Sequence, residues 1–187
     1  MNILILGSQG SGKSTQAELL AKKLQTPSLS TGELYRRLAK ESTKRGLFIK
    51  SILEKGELVS DEITINLIEE TIAKPEYKEG FVLEGAPRNL NQARMLNSSL
   101  DKVFYLKVTD KENTKRLLLR AREDDTEELI KKRLEIYHQE TEPVILFYKN
   151  KDLLEEIDGE RAVEEIHQDI LERVRFVSDQ HKKSQRA

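Results

Sequence analysis

Residues 3–15, Ile3-Leu4-Ile5-Leu6-Gly7-Ser8-Gln9-Gly10-Ser11-Gly12-Lys13-Ser14-Thr15, decide the fold. The four apolar residues at the start read as a short strand buried on both faces, the pattern of a parallel sheet. From Ser14 to Gln25 the apolar residues Ala17, Leu20, Ala21 and Leu24 share one helical face. Between strand and helix, Gly7-x-x-x-x-Gly12-Lys13-Ser14 completes a phosphate-binding loop. Glycines let successive backbone N–H groups turn toward one anion, and the helix N-terminus adds its positive dipole end. Lys13 is placed to reach β- and γ-phosphates, and Ser14 or Thr15 to join a magnesium shell. The loop alone implies binding of a nucleoside triphosphate, which switch GTPases, motor ATPases and small-molecule kinases share.

Outward from this core, the pattern predicts helices over Gly32 to Lys40 and Leu47 to Glu54. A further helix starts at Ser60-Asp61, with Ile63, Leu67, Ile68 and Ile72 as its apolar stripe. Phe81-Val82-Leu83 is a second buried-strand candidate, followed by Glu84-Gly85-Ala86-Pro87-Arg88 and a short helix over Asn91 to Asn97. Lys102 to Val108 and Leu153 to Ile157 are the third and fourth strands. Helices are expected over Glu112 to Arg120, over Thr126 to Phe147 with a kink at Pro143, and over Ala162 to Gln180, where Val163, Ile166, Ile170, Val174 and Val177 share a side. Strands alternating with helices predict an α/β fold: a P-loop NTPase-type parallel sheet with helices on both faces. Ligands then collect at the carboxyl ends of the strands, where Gly7 and Glu84-Gly85 stand.

Composition narrows the function. The 187 residues carry 32 basic and 33 acidic side chains, a net charge of -1, and no cysteine. Such a balance gives no global attraction to nucleic acid or an anionic membrane. Disulfides, cysteine nucleophiles and zinc–thiolate sites are excluded. With no basic leader followed by a long apolar run, the expected location is cytoplasmic. His138, His167 and His181 lack metal-ligand or triad spacing and read as ordinary surface or helix residues.

The motifs taken together resemble the adenylate kinase family of nucleoside monophosphate kinases, over essentially the whole chain. The matching segments are Gly7 to Gln16, Leu29-Ser30-Thr31-Gly32-Glu33-Leu34-Tyr35-Arg36, Gly56-Glu57-Leu58-Val59-Ser60-Asp61-Glu62, Phe81 to Gln92, and Arg116 to Arg133 on through Tyr137-His138, Pro143 and Tyr148. Asp158-Gly159 resembles the turn beside a donor adenine. The resemblance implies one kinase domain over 1–187, with a small helical monophosphate-binding lobe at 30–59. It implies reversible transfer, ATP + AMP to 2 ADP, with Mg2+ and without zinc, by a monomer acting on ATP and AMP or ADP, with no nucleic-acid or membrane partner.

Site roles carried over by the resemblance are as follows. Gly10, Ser11, Gly12, Lys13, Ser14, Thr15, Arg116, Arg120 and Arg161 hold ATP. Thr31, Arg36, Val59, Gly85, Arg88 and Gln92 hold AMP, with Arg36 and Arg88 as a bidentate clamp on its phosphate. Thr31 and Gln92 read the base, while Gly85 and Val59 line its pocket. Lys13, Arg88, Arg120, Arg122 and Arg133 act on the transferring group, and Ser14, Thr15 and Glu84 on the metal, Glu84 through water. Asp124-Asp125 would hold the arginines in place.

This sequence departs from the family pattern in four places. Only Ala121 separates Arg120 from Arg122, so residues 121–126 form a vestigial lid, which predicts weaker exclusion of water and some futile triphosphate hydrolysis. Glu84 stands for an aspartate, Ala86 for an aromatic that would loosen the acceptor pocket, and Ser14 for a glycine. Two other readings remain open at this point: a kinase for UMP, CMP or another monophosphate, and a nucleotide-binding regulator without efficient transfer.

Overall fold

A computed structural model of the protein describes residues 1–122 and 125–184, with side chains of the last helix described to Arg175. Five parallel strands form one sheet: β1 (Asn2–Leu6), β2 (Ser28–Ser30), β3 (Phe81–Glu84), β4 (Lys102–Lys107) and β5 (Leu154–Asp158), in the order β2-β3-β1-β4-β5. The register pairs Asn2 with Phe81 on one side of β1 and Ile3 with Lys102 on the other. Burial explains the centre. Ile3, Leu4 and Ile5 are completely buried, as a strand covered on both faces requires. The fold is the α/β parallel sheet expected from the loop and its flanking strand.

Alternate residues of each strand feed two cores. Ile3, Ile5, Val82, Phe104, Leu106 and Ile157 pack against α1 (Lys13–Leu24) and α9 (Val163–Ser184), through Ala17, Leu20, Ile166, Ile170 and Val174. Leu4, Leu6, Leu29, Leu83 and Val103 face the other way. They pack among α2 (Thr31–Leu38), α3 (Lys44–Glu54), α4 (Asp61–Ile72), α5 (Leu90–Met95) and α8 (Glu142–Lys149). A third, small cluster of Leu117, Ile130 and Leu134 joins α6 (Asp110–Arg120) to α7 (Glu127–Ile136). The helix starts are chemically marked. Ser30, Thr43, Ser60, Asn89, Thr109 and Thr126 each accept a backbone N–H in the first turn, worth about 1 kcal/mol apiece.

Two expectations are corrected. The fourfold strand count missed β2, whose Ser-Leu-Ser offers a single apolar residue, Leu29, to the core. The single helix expected over 126–147 is α7 and α8 joined by a π turn at Tyr137–Thr141. Pro143 lies in the first turn of α8, and the N–H of Glu142 reaches back to the carbonyl of Tyr137. A proline without an N–H leaves a carbonyl unpaired one turn earlier, and a widened turn there absorbs it. Asp124 and the side chain of Val177 lie outside the described residues.

His138, in the π turn, is more than a surface residue. Its ring nitrogens lie 2.8 Å from Asp110 Oδ2 and 2.8 Å from Glu142 Oε1, tying α6 to α8. Hydrogen bonds to these two carboxylates raise its pKa, against a smaller desolvation effect. A raised folded pKa means that the stabilisation is complete below the unfolded value, about 6.5, and is lost as pH rises through the folded one. His138→Gln is therefore expected to lower the unfolding midpoint at about pH 6 and to converge on the wild type in alkaline buffer. Thermal scans across pH check this. Phe104→Ala, which empties a fully buried ring site between α1 and α9, is expected to cost about 3–5 kcal/mol in urea unfolding.

Candidate active site

The loop leaving β1 and the loop leaving β3 open into one cavity of ≈ 550 Å³ at the carboxyl edge of the sheet. Local backbone chemistry shapes both rims. Gly10 and Gly12 stand at φ of 87° and 88°, so the chain turns its amides inward just before α1. Gly85 has φ of 86°, and a Cβ there would lie 2.4 Å from Thr31 Oγ1. Only glycine lets β3 meet the start of α2 so closely. The Ala86–Pro87 bond that follows is cis.

Cations crowd this cavity. Lys13, Arg36, Arg88, Arg116, Arg120, Arg122, Arg133 and Arg161 all line it, against the carboxylates of Glu57 and Glu84. Lys13 Nζ donates to Ser8 O at 2.9 Å. Desolvation pushes its pKa down to about 8, helped by repulsion from Arg88, Arg120 and Arg36 and opposed by Glu84. Burial also lowers the pKa of Arg88. Arg88 Nε donates to Gly85 O at 2.7 Å, and the Arg88 carbonyl accepts from Thr141 Oγ1 at 2.7 Å. Glu84, 3% exposed, accepts from Ser14 Oγ at 3.1 Å and from Ser30 Oγ.

The arginines are spaced by carboxylates. Asp125, whose side chain is fully buried, takes Arg120 in a fork at 2.8 and 2.7 Å, accepts from the Arg122 N–H at 3.3 Å and lies 3.8 Å from Arg133 Nη1. Arg116 is held by Glu112 (2.9 Å) and by the carbonyl of Gly159 (2.9 Å), and Arg161 by Asp169 (2.6 Å). Their neighbours on the wall are Leu117, Val163 and Ile166, an apolar end suited to a flat base.

Every residue expected at the site lines this cavity except Thr31. Thr31 is completely buried, and its Oγ1 donates to Glu84 O at 3.4 Å, so it props Gly85 from behind. Gln92 reaches the wall while only 1% exposed. Ala86 is a correction: it is 1% exposed within the core and does not border the cavity, so the loss of an aromatic there is felt in packing. Several supporting residues escaped the sequence reading. Asn113 donates to Ser8 Oγ at 2.7 Å and Gln16 to Val163 O at 2.9 Å, bracing the loop against α6 and α9. Tyr35 Oη and Thr64 Oγ1, 2.6 Å apart, border the same cavity. Polar residues of this kind carry no local signal, because their partners are remote in sequence.

Among the described residues no cluster of three or more His, Asp or Glu is placed to cage a metal ion. The Ser14 hydroxyl beside Glu84 is a hard-oxygen set. It fits a magnesium ion that arrives with phosphates and keeps most of its waters.

Comparison with known proteins settles the family. The family model described as adenylate kinase matches residues 5–153. The chain belongs to the adenylate kinase family. It is thereby a phosphotransferase of the nucleoside monophosphate kinase class. An adenylate kinase of Prochlorococcus marinus (strain MIT 9301) is 42% identical over 180 residues, covering 92% of this chain and 98% of that protein. One of Mycolicibacterium smegmatis is 40% identical over 173 residues, covering 89% and 94%. One of Fusobacterium nucleatum is 35% identical, but its alignment runs over 204 positions against the 187 residues of this chain, so that family member carries residues absent here. The family therefore includes members as compact as this one.

The state of Lys13 has a measurable consequence. With its pKa pushed down to about 8, the charged lysine weakens the fold below that pH, a cost relieved as pH rises toward the ordinary 10.5. A bound polyphosphate reverses the effect and draws the proton back. ATP binding is expected to take up a proton at about pH 9 but not at pH 7, and to weaken as pH rises past 8. Calorimetry in buffers of different ionisation enthalpy checks this, and Lys13→Arg is expected to abolish the uptake.

Proposed function

We propose that this chain catalyses reversible phosphoryl transfer, ATP + AMP ⇌ 2 ADP, at the cavity between the two strand-end loops. One observation carries the reading: a single cavity is bounded by the Gly10–Thr15 loop at one side and by Gly85, Arg88 and Gln92 at the other, with the arginine cluster between. Such a cavity suits two anions brought head to head rather than one.

In this reading Lys13 and the loop amides hold the β- and γ-phosphates of the donor. Arg116 and Arg161 border its base, beside Val163. Arg36 and Arg88 clamp the acceptor phosphate, whose base lies against Val59, Gly85 and Gln92, with Thr31 acting through Gly85. An acceptor oxygen forms its bond to the γ-phosphorus as the bond from phosphorus to the β,γ-bridging oxygen breaks. The acceptor oxygen is already ionised at neutral pH, so the step needs no general base. Charge spreads over the equatorial oxygens, where Arg120, Arg122 and Arg133 meet it. Ser14, Thr15 and Glu84 would hold magnesium, Glu84 through water. When bound, the ion neutralises phosphate charge.

Residues 30–59 then serve as the acceptor lobe and 121–126 in place of a lid. A monomeric, cytoplasmic protein without nucleic-acid or membrane partners goes with this reading; no helix among the described residues is long and apolar enough to cross a membrane.

A coupled assay with ATP, a monophosphate panel and magnesium tests the proposal. AMP is expected to turn over at least about tenfold faster than UMP or CMP. Lys13→Ala is expected to lower kcat by about 10²–10³ or more, as removal of a phosphate-stabilising donor does elsewhere. Faster turnover of UMP or CMP overturns the acceptor assignment, and an absence of ADP formation with every acceptor overturns transfer.

A further inference from the structure

Asp61, the first residue of α4, gathers three side-chain amides at the start of α5. Its Oδ1 accepts from Asn89 Nδ2 at 2.8 Å and from Gln92 Nε2 at 2.9 Å, and its Oδ2 accepts from Asn91 Nδ2 at 2.7 Å. On the other side of the same amide, Gln92 Oε1 accepts the backbone N–H of Arg88 at 2.8 Å. Burial opposes ionisation of Asp61, but the three amide donors outweigh it and lower its pKa.

These partners leave the Gln92 amide a single orientation. An ionised carboxylate only accepts and a backbone N–H only donates. Flipping the amide would set its oxygen against Asp61 and its NH₂ against the Arg88 N–H, losing both bonds and opposing like groups. In the observed orientation one Nε2 hydrogen and one Oε1 lone pair remain uncommitted, on a residue in the cavity wall. A base edge with an acceptor ring nitrogen beside an amino group satisfies that pair. A 6-oxopurine reverses the pattern, with N1–H as donor and O6 as acceptor.

We propose that Asp61 is a specificity-determining positioning residue: by fixing the orientation of the Gln92 amide, it selects 6-aminopurine monophosphates over 6-oxopurine monophosphates of the same size. This rests on the acceptor placement proposed above. Asp61 touches no substrate in this account; it acts through Gln92. An acceptor-only carboxylate holds the Nε2 side of the amide, whereas a neutral amide at position 61 could meet either orientation and would leave the Arg88 N–H alone to resist a flip.

The test compares kcat/KM for AMP with kcat/KM for IMP. In Asp61→Asn the ratio is expected to fall at least tenfold, through a higher KM for AMP and a gain for IMP, while the KM for ATP stays within twofold. Asp61→Glu, which restores an acceptor-only group, is expected to recover much of the ratio. If Asp61→Asn slows AMP and IMP in parallel and keeps their ratio within twofold, Asp61 only braces the loop and the proposal is overturned. Should Asp61→Asn fold poorly, Asp61→Ser keeps helix-starting chemistry and reads the same ratio. Gln92→Ala separates the two levels. If it collapses the ratio while the Asp61 variants do not, the acceptor placement stands and the role of Asp61 fails. If it leaves the ratio at the wild-type value, the base does not lie at Gln92 and both proposals are overturned.

Discussion

Electrostatic repulsion within one cavity is the constraint that the rest of the structure answers. Eight cationic side chains share its wall with two carboxylates, and Lys13 is desolvated enough to hold its proton loosely. Such an assembly stands only if something separates the charges and fixes their directions. Asp125 does so for Arg120 and Arg133, Glu112 for Arg116, and Asp169 for Arg161. Each carboxylate leaves its arginine in the cavity wall. In the proposed function two anionic substrates would relieve the remaining repulsion, and the attraction that binds them would also stabilise charge at the transferring phosphorus.

The sheet sets where these charges meet. A parallel sheet puts every strand end that carries a loop on the same edge, and β1 and β3 are neighbours. The strand-loop-helix run at 3–15 was sufficient to imply this class of fold, because a continuous apolar strand, a glycine turn and an amphipathic helix have few other uses. β2 was not legible: three residues with one apolar side chain carry no period. The π turn was legible only as a proline, since its widening depends on how the turn before Pro143 resolves an unpaired carbonyl.

For the site, legibility followed residue chemistry. Lys13 and the glycines belong to a dense local motif, and Arg36 and Arg88 to segments that resemble a family. Residues that support them did not show. Asp61 reads as ordinary helix-start chemistry, and Asn113 and Thr141 only as positions inside expected helices, until the fold brings Gln92, Ser8 and Arg88 to them. Thr31 and Ala86 went the other way: a motif placed both at the acceptor pocket, and burial places Thr31 behind Gly85 and Ala86 in the core. A linear pattern says which residues travel together; it does not say which of them faces the opening.

The bracing of the loop by the last part of the chain bears on how the protein is made. β1 and its glycine loop are made well before both strands that flank β1, which begin only at residues 81 and 102. The cavity wall at Arg116 waits longer still, for Gly159, Arg161 and the Val163 carbonyl that Gln16 grips. A nascent chain therefore carries this loop without its flanking strands and without its brace at Val163 until those segments are made. Order of synthesis and order of enclosure differ here: the loop is made long before the strands and the helix that enclose it.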